Sequence, residues 1–247
     1  MRTKLILGTL LVAIAAVGGG VYFTSSMQDN AAQTTAQNVA QNTPAPQQNT
    51  LQLAQAQLDN TALHPALKLG EHDYILGDEN APVTIIEYAS MTCGHCGYFH
   101  NNVLPQIKRN YIDTGKVRMV VRPLPWDNMA LAISKVAMCG GEPVYYPMLN
   151  AFFDTQEQWL KSEADALADI KKIARLSGMD GETVEACIKD KELHDVVLDT
   201  KETARQTLKV TGTPTFFVNG ERLEGMQNFE RMQEVIEAAL NATQEAA

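Results

Sequence analysis

From Ala81 onward the apolar and polar positions follow two different periods. The run "APVTIIEYA", residues 81–89, is compact, β-branched and apolar, and it is opened by Pro82. It predicts a strand buried on both faces. Past Cys93 the period lengthens, with Phe99, Val103, Leu104 and Ile107 at helical spacing, Pro105 predicting a kink and Gly115 a stop. "KVRMVVRPLP" predicts a second strand. Strand, helix and strand at this spacing make a βαβ unit, whose crossover is right-handed and whose strands are parallel.

Residues 127–209 are helical in pattern throughout. Asp127 can cap "NMALAISKVAMCGG", which Gly140 and Gly141 end, and "VYYPMLNAFFDTQEQWL" follows. Ser162 can cap the next helix, where Leu167, Ile170, Ile173 and Ala174 form an apolar stripe. Two further helices are expected around 181–189 and 191–209. The pattern then returns to sheet: in "TPTFFVNGERLEG" the Asn219–Gly220 pair lies between extended runs and predicts a tight antiparallel hairpin. A closing helix is capped by Asn228, with Phe229, Met232, Ile236 and Leu240 on one face. The order βαβ, helices, ββα places one sheet domain at 74–126 and 210–247, with 127–209 inserted as a helical block.

The N-terminal third has a different character. Residues 1–23 begin with the basic "MRTK" and continue as an uncharged apolar stretch. They predict a membrane anchor or a signal peptide; no strong A-x-A cleavage site stands out, which favours the anchor. Arg2 and Lys4 would stay cytoplasmic and the remainder would be exported. Residues 24–50 are rich in Gln, Asn, Thr and Ala, nearly free of charge and aromatic rings, and predict a disordered linker. Residues 51–73 predict a short helical linker. Leu51, Ala54 and Leu58 have heptad-like spacing, so a homo-oligomer through residues 51–69 is one reading and a frayed linker end the other.

The net charge of −9 argues against partners of like charge, nucleic acid and acidic membrane surfaces among them. Four cysteines are too few for a disulfide scaffold. Two of them, Cys93 and Cys96, stand where the first strand hands over to its helix. Cys-x-x-Cys supplies only half a zinc site, and no second half appears downstream. A bridge closing so short a loop removes little entropy from the unfolded chain. A redox dithiol fits the placement: at a helix start, unpaired N–H groups and the dipole favour a Cys93 thiolate, and protonated His95 would add positive charge. No cofactor is implied.

"CGHC" after "IIEYASMT", the helical insertion, and "TGTPTFFVNG" ahead of a hairpin together resemble the DsbA family of thioredoxin-fold thiol–disulfide oxidoreductases. The similarity covers about Tyr74–Leu240. The Gly-His dipeptide between the cysteines is more similar to protein disulfide isomerase than to the Pro-His of the best-known DsbA. The resemblance implies that Thr213–Pro214 is a cis-proline loop that faces the dithiol and binds substrate backbone. It also implies that Glu87 is a buried acid under the site, relaying a proton to Cys96; read from the residue alone, Glu87 is an edge or solvent-facing carboxylate. His100, one turn beyond Cys96, is expected at the surface. Cys139 and Cys187 fall in separate helices of the block; in an exported protein a structural disulfide between them is favoured over two buried free thiols.

The implied function is a periplasmic oxidase, tethered to the inner membrane or released by signal cleavage, that introduces disulfides into unfolded exported proteins. A DsbB-like membrane partner would reoxidise it. Met91, Tyr98 and Phe99 are candidates for lining a substrate groove. The nearest alternative is an isomerase or reductase acting on misoxidised proteins and kept reduced by a DsbD-like partner. An alternative of another class is a non-enzymatic chaperone or a thiolate carrier of soft metals.

Overall fold

A computed structural model describes residues 63–160 and 166–245. The expected anchor at 1–23, the linker at 24–50, residues 51–62 of the oligomerising segment and the Ser162 cap lie outside the described residues. Among those described, no helix is long and apolar enough to cross a membrane.

The central element is strand β1, Val83–Ala89. It pairs in parallel with β2 (Val117–Pro123) and antiparallel with β3 (Thr215–Val218), which pairs antiparallel with β4 (Glu221–Glu224); the order is β2-β1-β3-β4. Covered on both faces, β1 carries the continuous apolar run that the sequence shows. Side chains alternate along a strand, so Val83, Ile85 and Ala89 enter the large core while Ile86 and Tyr88 enter a smaller one with Leu67, Leu208 and Phe217. Glu87 belongs to the first set, and its register partners Val121 and Phe216 enclose it from both neighbouring strands. The β3–β4 hairpin turns at Asn219 and Gly220, whose φ angles of 46° and 97° are the left-handed values a two-residue turn of this kind needs.

Helix α1 spans residues 94–112 and crosses from β1 to β2. It passes through Pro105 by widening: π-type turns occupy Phe99–Val103 and Lys108–Ile112, on either side of an α-helical Leu104–Ile107. A proline ring clashes with the carbonyl four residues back, and the wider turn ahead of it relieves that contact. The inserted block comprises α2 (Asn128–Cys139), α3 (Glu142–Asp154), the single turn α4 (Gln156–Trp159), α5 (Ala166–Leu176), α6 (Gly181–Lys189) and α7 (Lys191–Glu202, continued by a π turn to Thr207). Helix α8, Phe229–Glu245, packs Met232, Val235 and Ile236 into the large core. In α5 the apolar stripe is shorter than expected: Ile170, Ile173 and Ala174 are buried, whereas Leu167 is exposed.

The block docks on the sheet through α3 and is braced internally by a disulfide. Tyr145 and Tyr146 of α3 donate their hydroxyls to the carbonyls of Val121 and Met119 on the outer edge of β2, covering an edge that would otherwise present free backbone groups. Leu76 closes the same edge by a two-way backbone bridge to Met119. Cys139 of α2 and Cys187 of α6 are joined by a disulfide with a Cα–Cα separation of 5.8 Å and a sequence separation of 48. Closing a loop of that length stabilises by about 4 kcal/mol in the chain-entropy model.

Residues 63–73, expected to be the tail of a helical linker, instead hold one 3-10 turn, Pro65–Leu67, and pack against the sheet. The buried Arg122 holds them there. Its guanidinium donates to both Asp73 carboxylate oxygens at 2.9 and 2.7 Å, to the carbonyls of Ala66 and Lys68, and to the Tyr88 hydroxyl. Every donor has an acceptor, so charge burial is compensated. Arg122→Met strands the Asp73 carboxylate, and urea unfolding followed by circular dichroism is expected to show a loss of about 3–5 kcal/mol.

Candidate active site

The site forms where β1 ends and α1 begins. Cys93 is the N-cap of α1, in extended conformation, and Cys96 is completely buried in its first turn. Both are free thiols. The loop before them is tightly tied: the Cys93 N–H donates to the Ser90 carbonyl at 3.0 Å, and the Gly97 N–H donates to the Cys93 carbonyl at 3.1 Å. Gln156 of α4 adds a clamp from the helical block, its Nε2 donating to the carbonyls of Met91 at 2.7 Å and Cys93 at 3.0 Å. A side chain at position 97 would collide with that glutamine, since an added Cβ would run into its Oε1. Glycine there is a condition of the clamp.

From the far side comes the loop that precedes β3. The Thr213–Pro214 bond is cis, and the Thr213 carbonyl accepts from the Cys93 thiol at 3.3 Å, across 120 positions of sequence. Gly225 pins the other end, donating to the Pro214 carbonyl at 2.9 Å. The cis-proline loop therefore lies against the more exposed of the two sulfurs.

The sulfurs differ sharply in acidity. Cys93 is lowered from 9.0 to about 5, first by the thiol of Cys96 donating to it, then by Thr213 and by the main-chain N–H groups of Cys96 and His95, with partial burial opposing. The helix-start amides act as the sequence suggests, but the neighbouring thiol is the largest contribution. His95 itself is exposed and reaches the sulfur through its main chain. Cys96 is pushed well above 9.0, by burial first, then by its hydrogen bond to Cys93 and by the charge of Glu87.

Glu87 is wholly buried in the central strand, on the α1 face, so the edge or solvent-facing reading does not apply. Its Oε2 shares a 2.8 Å hydrogen bond with His100 Nε2. His100, expected at the surface, is 5% exposed and stacks on Phe153 with ring centroids 4.2 Å apart. A signal for this was present in the sequence: Cys96, Phe99, His100 and Val103 share one helical face, and that face is the apolar one. Met91 and Phe99, proposed to line a substrate groove, are core residues at 3% and 0% exposure. Of that trio only Tyr98 is exposed. It borders a cleft of about 800 Å³ beside the dithiol, lined also by His95, Asn102, Leu160 and Met226. A second cleft, of about 500 Å³, opens near Leu63, Ile86, Arg118 and Phe217 on the opposite face of the sheet, away from the sulfurs.

A thiolate beside a buried thiol can attack disulfides, and the same pair as a disulfide can accept electrons from other thiols. In the reduced protein the ultraviolet absorbance of the thiolate should titrate with a midpoint near 5, and Cys96→Ala should move that midpoint up. Because folding lowers this pKa, the thiolate stabilises the reduced fold fully above the unfolded thiol's value, and the contribution is lost as pH falls through about 5. Thermal melts of reduced and oxidised protein should therefore separate progressively between those limits.

Residues 69–238 match the family model described as Thioredoxin. A chain of Rickettsia conorii named "Putative protein-disulfide oxidoreductase" is 29% identical over 189 residues, covering 75% of this chain and 67% of that one. A namesake in Rickettsia bellii is 31% identical over 160 residues, covering 64% and 61%. The chain thus spans about two thirds of the length of these curated relatives. The crystal structure of Wolbachia pipientis alpha-DsbA1 superposes with a TM-score of 0.68 at 31% identity, over 73% of this chain and 96% of that one. On fold, sequence match and dithiol placement together, this chain belongs to the DsbA family of thioredoxin-fold thiol–disulfide oxidoreductases.

Proposed function

We propose that this chain is an oxidase that introduces disulfides into unfolded exported proteins through Cys93 and Cys96. The observation that carries the reading is the unequal acidity of the two sulfurs. A Cys93 thiolate stable near pH 5 is a good leaving group, and its stability favours the reduced form, so the disulfide form is a strong oxidant.

The exchange runs in two displacements. A substrate thiolate attacks Cys93 Sγ, the Cys93–Cys96 bond breaks, and Cys96 leaves with the electron pair. Buried and weakly acidic, Cys96 must take a proton, and the Glu87–His100 pair beneath it is the proton source. A second substrate thiolate then attacks the substrate sulfur of the mixed disulfide and expels Cys93 as thiolate. The substrate loses two electrons and two protons; the dithiol gains the electrons and one proton, and the other proton passes to solvent. Thr213 and Pro214 hold the substrate backbone beside Cys93, while exposed Tyr98, Leu160 and Met226 along the adjoining cleft offer apolar side-chain contacts. Reoxidation falls to a DsbB-like membrane partner, and the site of action is the periplasm. The Cys139–Cys187 bridge serves as a structural disulfide and takes no part in exchange.

Alkylation of thiols in intact cells tests the assignment: Cys93 and Cys96 should be mainly disulfide-bonded, with a reduction potential above roughly −200 mV in glutathione buffers. A mainly reduced pair would overturn the oxidase and favour the isomerase. For the relay, stopped-flow fluorescence with a reduced peptide should show Glu87→Gln slowing mixed-disulfide formation about tenfold or more near pH 7, with the Cys93 midpoint little changed.

A further inference from the structure

Beside the cis-proline loop, positive charge is gathered on one aromatic ring, and the exchange chemistry above uses none of it. Trp126, in the loop between β2 and α2, is 41% exposed. Its indole Nε1–H donates to the Thr213 hydroxyl oxygen at 3.1 Å, which ties the ring to that loop. Lys201 of α7 and Arg205 of the following π turn lie over the ring at 5.8 and 5.6 Å from its centroid. Among the described residues neither cation pairs with a carboxylate. The acidic residue next to the ring, Asp127, is engaged elsewhere: it accepts from the Thr92 hydroxyl at 2.5 Å and caps α2 through the Ala130 N–H at 2.8 Å.

In a chain of net charge −9 this is a local reversal of sign, and its place gives it meaning. Thr213 meets the indole through its hydroxyl and the Cys93 thiol through its carbonyl, the latter at 3.3 Å. A single residue therefore separates the ring from the more exposed sulfur. An extended polypeptide advances about 3.3 Å per residue, so side chains a few positions from a cysteine reacting at Cys93 come level with the two cations. The ring contacts hold those cations in place, and a carboxylate that meets them costs less ordering than one meeting freely moving side chains. A surface so close to the sulfur suits the substrate chain better than a membrane.

We propose that Lys201 and Arg205, seated on Trp126, form a specificity-determining surface for polypeptides that carry Asp or Glu within a few positions of the reacting cysteine. The inference rests on the reading that Cys93 exchanges with polypeptide substrates, and it names the kind preferred. Two reduced two-cysteine peptides, differing only in having aspartate or lysine beside the cysteines, test it by their rates of oxidation in stopped flow. Comparing forms of the protein cancels the effect of flanking charge on the peptide thiols themselves. Lys201→Gln Arg205→Gln should lower the aspartate-to-lysine rate ratio about three- to tenfold at low ionic strength, the worth of two exposed ion pairs. The effect should largely vanish near about 1 M salt, where screening acts within about 3 Å. Lys108→Gln Arg109→Gln removes the same charge about 20 Å along the axis of α1 and should leave the ratio where it is. Should Lys201→Gln Arg205→Gln fail to fold by circular dichroism, the exposed Arg205→Gln alone should give about half the effect in free energy. An unchanged ratio would overturn the proposal, as would an equal fall in the α1 control, which would mean that net charge alone steers the peptides. Loss of binding to phosphatidylglycerol vesicles with an unchanged ratio would assign the surface to a membrane and overturn it too. Failure of the underlying reading is distinguishable, because the unsubstituted protein would then exchange with neither peptide.

Discussion

One hydrogen bond, from the Cys96 thiol to the Cys93 sulfur, sets the character of this molecule. It is the leading cause of the acidity of Cys93, and it is the second cause, after burial, of the reluctance of Cys96 to ionise. The bond does both only if the proton stays on Cys96. Burial ensures that, and burial follows from the fold: β1 sits between β2 and β3, so the turn that leaves its C-terminal end starts α1 over the covered face of the sheet. Cys96 points inward with Phe99 and Val103, while Cys93, one turn earlier at the cap, stays at the rim.

The helical block supports this arrangement from a distance. Tyr145 and Tyr146 dock it on the free edge of β2, the Cys139–Cys187 bridge joins α2 to α6, and Gln156 reaches from α4 to the two carbonyls that flank the start of α1. Holding those carbonyls fixes the direction of the first amides of α1, which also face the Cys93 sulfur. In the function proposed above, substrate contact and sulfur chemistry fall to different elements. The exposed apolar side chains border a cleft shared by α1, α4 and the turn after β4, whereas the groups that tune the sulfurs come from β1, α1 and the cis-proline loop.

Local pattern made much of this legible in the sequence, and long-range pairing hid the rest. The hairpin at Asn219–Gly220 and the caps at Asp127 and Asn228 are each decided by residues within a few positions, so sequence alone located them. The dithiol was legible because its spacing and its place after a buried strand are both local. The surface expectation for His100 follows from residue type, whereas helical phase puts it on the buried face of α1; its partner Glu87 is 13 positions away on another element. Trp126 and Gln156 could not be read at all. Their partners lie 87 and about 65 positions distant, and nothing in their own neighbourhoods distinguishes them from ordinary surface residues. The lead-in at 63–73 escaped for the same reason, since Arg122 organises it from β2.

Glu87 raises the question of how a carboxylate persists at the centre of a sheet. An isolated buried charge costs several kcal/mol, and the flanking strands offer only Val121 and Phe216 at its register positions. His100 is what makes the position tenable. Its ring nitrogen shares a 2.8 Å hydrogen bond with the carboxylate and supplies the polar partner that the strands do not. The pair is nonetheless incompletely satisfied, because Glu87 Oε1 and His100 Nδ1 have no hydrogen-bond partner. A network built only for stability would close both of those atoms. In the relay proposed above, that open oxygen is the one a proton would leave for the sulfur, and the charge of Glu87 raises the Cys96 thiol.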